Sequence, residues 1–140
     1  MKPSILIFSQ SMYLGGVERS LLGLLDSIDY DRYDVDLFLM RHSGELMPYL
    51  NHKANILPEI QQYASLAVPM KSLIKSGQFG VLCGRLRGKL AAKRFDKQHP
   101  SDKPSVTALT YSHKYTLSTM PQISDKTYDL AISFLTPHYF

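Results

Sequence analysis

The chain has 140 residues, a net charge of +4, 44% hydrophobic and 20% charged residues, a length and balance that suit one globular domain and exclude wholesale disorder. Its single cysteine, Cys83, excludes an internal disulfide and a thiolate metal cluster. No run approaches the roughly eighteen apolar residues of a membrane span, and the apolar run Ile5 to Phe8 is too short for a secretory leader, so the chain is expected in the cytoplasm.

Ser4 to Ser9 is a continuous apolar run with β-branched residues, the pattern of a strand buried on both faces. After a loop from Gln10 to Gly16, Val17, Leu21, Leu24 and Ile28 recur at helical spacing, with Leu25 widening the stripe. Tyr33 to Met40 predicts a second strand, and the three elements make a β-α-β unit with a right-handed crossover. Gly44 offers a turn, residues 45–50 a short helix, and residues 54–57 a weak third strand before Pro58. From Pro69 to Pro104 the pattern is helical: Phe79, Leu82, Leu86 and Leu90 share one face, and Arg85, Arg87, Lys89, Lys93 and Arg94 surround it. Gly77, Gly80, Gly84 and Gly88 lower helix propensity there. Their spacing suits a membrane helix dimer, but the surrounding charges count against it. Residues 106–120 predict a further helix, and Tyr128 to Leu135 a strong buried strand. The expected fold class is α/β, a Rossmann-like parallel sheet flanked by helices. The expected strands lie near residues 4–9, 34–40, 54–57 and 128–135, in the order 3-2-1-4. A doubly wound sheet continues into a helix after such a strand, so the end at Phe140 predicts an incomplete domain.

Charge is unevenly placed. Residues 1–70 carry a net −3, residues 71–103 carry +7, and the remainder balances. Arg85, Arg87, Lys89, Lys93 and Arg94 fall within ten residues that contain no acid. A patch of this kind suits an anionic surface. With only Phe79 and Phe95 available for stacking, phospholipid headgroups fit it better than a nucleic acid. The alternative is a solvated basic helix whose apolar stripe packs on the sheet.

The segment Met12-Tyr13-Leu14-Gly15-Gly16-Val17-Glu18-Arg19-Ser20-Leu21-Leu22 carries the functional signal. A strand runs into two glycines and a helix begins at once. The first turn of a helix offers unpaired N–H groups and a partial positive charge, and glycine lets a phosphate approach closely. Simple helix initiation by small residues is the plainer alternative. The spacing matches neither the dinucleotide fingerprint nor a Walker loop. His42, His52, His99, His113 and His138 lack metal-ligand spacing, and Asp29, Asp31, Asp34 and Asp36 lack the glycine and terminal glutamate of a calcium loop. Thr136 follows a strand's C-terminal end, where ligands bind in open α/β sheets.

The stretch Ser4 to Met40 resembles the opening of the family 4 retaining glycosyltransferases, of GT-B fold. In that family the first strand leads to a Gly-Gly-(Val/Ala)-Glu-Arg segment and a Leu-rich helix, which stands here as Gly15 to Leu22. Tyr33 to Leu37 resembles the family's second strand and Tyr128 to Phe134 its fourth, whereas residues 59–126 match no part of it. The resemblance implies the N-terminal, acceptor-side half of such an enzyme, without its donor-binding half. Gly15, Gly16, Val17 and Glu18 would lie near the donor diphosphate, and Tyr13, Leu14 and Thr136 on the acceptor side of the cleft. The implied partners are a UDP- or GDP-linked sugar, held only with the C-terminal half, and a glycan or lipid-linked acceptor of bacterial surface polysaccharide synthesis. The family's Arg/Lys pair and Glu-x7-Glu element belong to the other half. Accordingly no residue here is assigned as catalytic, no metal or cofactor is called for, and the chain alone is expected to be inactive. The implied location is the cytoplasm, peripheral on the inner face of the cell membrane. The competing function is a non-enzymatic α/β module that docks on anionic membrane through residues 71–103.

Overall fold

The computed structural model describes residues 1–100 and 107–134, which divide into two compact units. One is built from Met1–Ile60 with the segment that returns at Gln122, the other from Gln61–Pro121.

The first unit is a parallel sheet of four strands, β1 (Ser4–Ser9), β2 (Asp34–Leu39), β3 (Asn55–Ile56) and β4 (Leu130–Ser133), in the order β3-β2-β1-β4. This is the expected order and the expected α/β class. β1 lies between two parallel partners, with Ile5 opposite Val35 on one side and Leu130 on the other. Helix α1 (Gly16–Ser27) makes the crossover from β1 to β2 and buries Leu21 and Leu25, one helical turn apart, with Leu22, Leu24 and Ile28 packed beside them. These meet Ile7, Met12, Val35, Leu37 and Leu39 in one apolar core, where each fully buried aliphatic side chain contributes about 1.5–3 kcal/mol. β4 differs from the buried strand expected. Leu130 is 50% exposed, because β4 pairs with β1 on one side and no strand covers its other edge among the described residues.

The acids that open β2 have a structural role. Asp36, buried, accepts hydrogen bonds from Asn55 Nδ2 (2.8 Å), Tyr128 Oη (2.7 Å) and Lys126 Nζ (3.2 Å), and Lys126 also bridges to Asp34 at 2.6 Å. Three donors drawn from β3 and from the approach to β4 therefore meet one β2 carboxylate. Burial raises the pKa of Asp36, but the hydrogen bonds from Tyr128, Asn55 and Lys126 outweigh it and hold the group below its ordinary value.

The second unit is helical: α2 (Gln61–Ala64), α3 (Met70–Lys75), α4 (Phe79–Gln98) and α5 (Thr107–Thr116). The helical run expected from Pro69 is broken at Gly77, whose φ of 70° is left-handed. Gln78 N donates to Leu73 O (3.0 Å) and Gly77 N to Ile74 O (3.3 Å), the paired bonds of a Schellman ending, which glycine permits. The apolar stripe of α4 is not the face that packs. Phe79, Leu86 and Leu90 are exposed, and the buried positions are Val81, Gly84, Gly88 and Ala92. Glycines that weaken an isolated helix here admit the backbone of α5. A methyl carbon at residue 84 would lie 2.9 Å from Tyr115 O, and one at residue 88 would lie 2.6 Å from Ser112 Cα.

Candidate functional site

The Gly-Gly loop sits where the sheet changes direction. From β1 the chain crosses through α1 to β2 on one side, while β4 lies on the other. The C-terminal ends of β1 and β4 therefore flank a topological switch point, the place where open α/β sheets bind ligands. Met12 is fully buried and anchors the loop: its N–H donates to Ser43 O and its carbonyl accepts from Leu46 N, both at 2.8 Å. Gly44 makes this clasp possible. Its φ is 119°, and a side chain there would overlap the Met12 carbonyl and Tyr13 N. Glu45 Oε2 then accepts from Leu14 N (3.2 Å).

Beyond the clasp, Tyr13 and Leu14 are 46% and 63% exposed. Gly15 is the N-cap of α1, with an extended backbone and no side-chain cap. Without a capping side chain, the first-turn N–H groups stay available to an incoming acceptor. Leu14, Gly15, Gly16 and Arg19 line an open cavity of about 290 Å³. Nothing lies within 4 Å of a methyl placed on Gly16, whereas the Glu18 carboxylate folds back to where a side chain on residue 15 would stand. The site thus combines a helix N-terminus with an exposed cation, Arg19, and one carboxylate already drawn over the loop. Such an arrangement can hold a phosphate or diphosphate, in competition with Glu18.

Gly15, Gly16, Val17 and Glu18 are brought together with Tyr13 and Leu14 by this loop, as their adjacency dictates. Thr136 and His138 lie outside the described residues. Three contributors escaped sequence reasoning as parts of the site. Arg19 stands in the motif with no role that its spacing gives it, Gly44 reads only as a turn, and Glu45 carries no signal because its contact with Leu14 spans thirty-one positions. Among the described residues, no group of three or more His, Cys, Asp or Glu could hold a metal ion, and no helix is long and apolar enough to cross a membrane.

In the second unit, Arg87, Lys89, Lys93 and Arg94 are exposed along α4. Arg85 is set apart from them. Its guanidinium turns inward and donates to Val68 O (2.7 Å) and Ser65 O (3.3 Å), and burial lowers its pKa. This arginine fastens the chain before α3 to α4.

Comparison with protein-family models, with curated proteins and with solved structures gives no significant match.

Proposed function

We propose that this chain is the acceptor-side half of a retaining glycosyltransferase of GT-B type. Joined to a donor-binding half, it would pass a sugar from a UDP- or GDP-linked donor to a glycan or lipid-linked acceptor at the cytoplasmic face of a bacterial membrane. One observation carries the reading: the Gly15–Gly16 turn opens an uncapped helix N-terminus, beside Arg19, into a cavity at the switch point between β1 and β4. Developing charge on a leaving diphosphate is what such preorganised donors stabilise. The sequence likeness of Gly15 to Leu22 to the family supplies the substrate class. Residues of this chain would bind and orient, and the groups that complete the leaving-group site would come from the other half.

Two measurements test the reading. Amide shifts of Gly15 to Glu18 should respond to inorganic pyrophosphate, and Gly16→Val should abolish the response while the fold persists. In the two-domain protein, Gly16→Val should lower sugar transfer by tenfold or more (about 1.4 kcal/mol per tenfold). Transfer undiminished by Gly16→Val removes the cradle role. Turnover of a UDP- or GDP-sugar by the 140-residue chain alone contradicts the division of labour.

A further inference from the structure

Helix α4 presents two opposed faces. Val81, Gly84, Gly88 and Ala92 turn in, with the glycines closing against α5. At about 100° per residue, Phe79, Cys83, Leu86 and Leu90 fall on the opposite side. Phe79, Leu86 and Leu90 are 61%, 46% and 63% exposed, and Cys83 is exposed between them. Lys89 borders this stripe on one side, Arg87 and Arg94 on the other, and Lys93 and Lys97 continue it past Leu90; all five are exposed. On helix α3, Ile74 is also exposed, between Lys71 and Lys75 in sequence. An exposed apolar row rimmed by charge marks a surface that docks on something.

We propose that this face of α4 docks in the headgroup region of a bilayer containing anionic phospholipid, the apolar row entering the acyl boundary and the cations engaging phosphates. The proposal stands apart from the glycosyltransferase reading, since it uses only the second unit. Charge complementarity selects the occupant: the exposed cations Arg87, Lys89, Lys93 and Arg94 stand in a stretch of the helix that holds no acid. A second copy of this face would oppose cation to cation. A nucleic acid would leave Phe79, Leu86 and Leu90 in water. A lipid surface satisfies both properties at once, because the helix lies in the interface plane with its apolar side down and lysine stems reach up to the phosphates. On the Lys89 flank, a cavity of about 310 Å³ lined by Met70, Arg85, Lys89, Ala108 and Ser112 offers a seat for a headgroup phosphate. Val81, Gly84, Gly88 and Ala92 supply the buried face, so Phe79, Leu86 and Leu90 are left free for the bilayer.

The chain contains no tryptophan, so Leu90→Trp supplies a single reporter at an exposed position. Fluorescence would be recorded with vesicles of phosphatidylcholine alone and of phosphatidylcholine with phosphatidylglycerol. The expected result is a blue shift with the anionic vesicles only, reversed as salt rises from about 0.1 M to about 1 M and the screening length falls from ~10 Å to ~3 Å. Lys89→Gln and Lys93→Gln should each weaken binding about fivefold, and Phe79→Ser with Leu86→Ser should weaken it further at unchanged charge. Circular dichroism checks that these exposed changes leave the helices intact. Equal partitioning on neutral and anionic vesicles overturns the proposal, as does no partitioning on either, or binding unchanged in the Gln variants. Self-association in solution that Leu86→Ser abolishes overturns it in favour of a second copy.

Discussion

Ser112 Cα stands 2.6 Å from the point a methyl carbon on residue 88 would occupy, and Tyr111 O is equally close. The close approach of α4 and α5 is set at this crossing, where backbone meets backbone and no side chain can yield. Gly88→Ala should therefore destabilise the second unit by about 1–3 kcal/mol, the usual range for overpacking. Gly23→Ala, in the interior of α1 with nothing within 4 Å, should instead stabilise the first unit by up to about 1 kcal/mol, the difference in helix propensity. Chemical denaturation of the two variants distinguishes the cases. Two stabilising results would mean that α4 and α5 do not meet as described.

The Asp36 carboxylate gathers Tyr128, Asn55 and Lys126. Asp36→Ala should cost about 1–3 kcal/mol, since it leaves part-buried donors without their acceptor. Lys126→Met should cost no more than about 1 kcal/mol, because the Lys126 side chain is 34% exposed and water screens its pairs. The folded pKa of Asp36 lies below its ordinary value, so the unfolded chain binds its proton first as pH drops. The stabilisation is complete above the unfolded value of about 3.9 and is lost as pH falls from there through the folded value. Asp36→Asn should flatten the acid limb of a stability-against-pH curve, and an unchanged limb would place the sensitivity elsewhere.

The parallel sheet was legible because Ser4 to Ser9 carries a continuous apolar run, and Asp34 to Leu39 alternates acid with apolar residues before it ends fully apolar. β4 was legible as a strand but not in its burial, since an apolar run does not say which edge is covered. Helix α4 shows a deeper limit. In sequence its apolar stripe suits either a lipid surface or packing against the sheet; in the fold Gly84 and Gly88 pack while Leu86 and Leu90 are exposed, because the closest helix contacts form where there is least side chain. The Gly15–Gly16 loop could be found from its spacing. Glu45, which holds Leu14 from thirty-one positions away, could not, because only the folded chain brings the two together.

Gly44 offers a test of that clasp. Its φ of 119° and the Met12 carbonyl beside it forbid any side chain. Gly77 is also left-handed, with φ 70°, but faces open space. Gly77→Ala should cost about 1–2 kcal/mol, the conformational penalty alone. Gly44→Ala should cost more and displace the amide signals of Met12, Tyr13 and Leu14. Equal costs for the two variants would show that the clasp gives way easily.

Glu18 decides how readily an anion enters the loop. Its carboxylate reaches back over Gly15, where it complements the N-terminal charge of α1, an effect of about 0.3–1 kcal/mol. A phosphate bound at the same N–H groups would meet that negative charge. At ~6 Å, two unit charges repel by about 0.7 kcal/mol even at the dielectric constant of water, roughly a threefold effect on affinity. Glu18→Gln keeps the side chain's size and removes its charge, so it should strengthen pyrophosphate binding at least threefold at low salt while slightly lowering stability. Raising the salt should narrow the gap, because the repulsion is screened. Gly16→Val should act oppositely, with stability nearly unchanged, since nothing lies within 4 Å of the added methyl position, and with binding lost. Titration of the three proteins by amide shift reads both effects. If Glu18→Gln binds pyrophosphate no better than the parent at low salt, the carboxylate is not competing for the cradle, and Gly15 and Gly16 serve to start the helix.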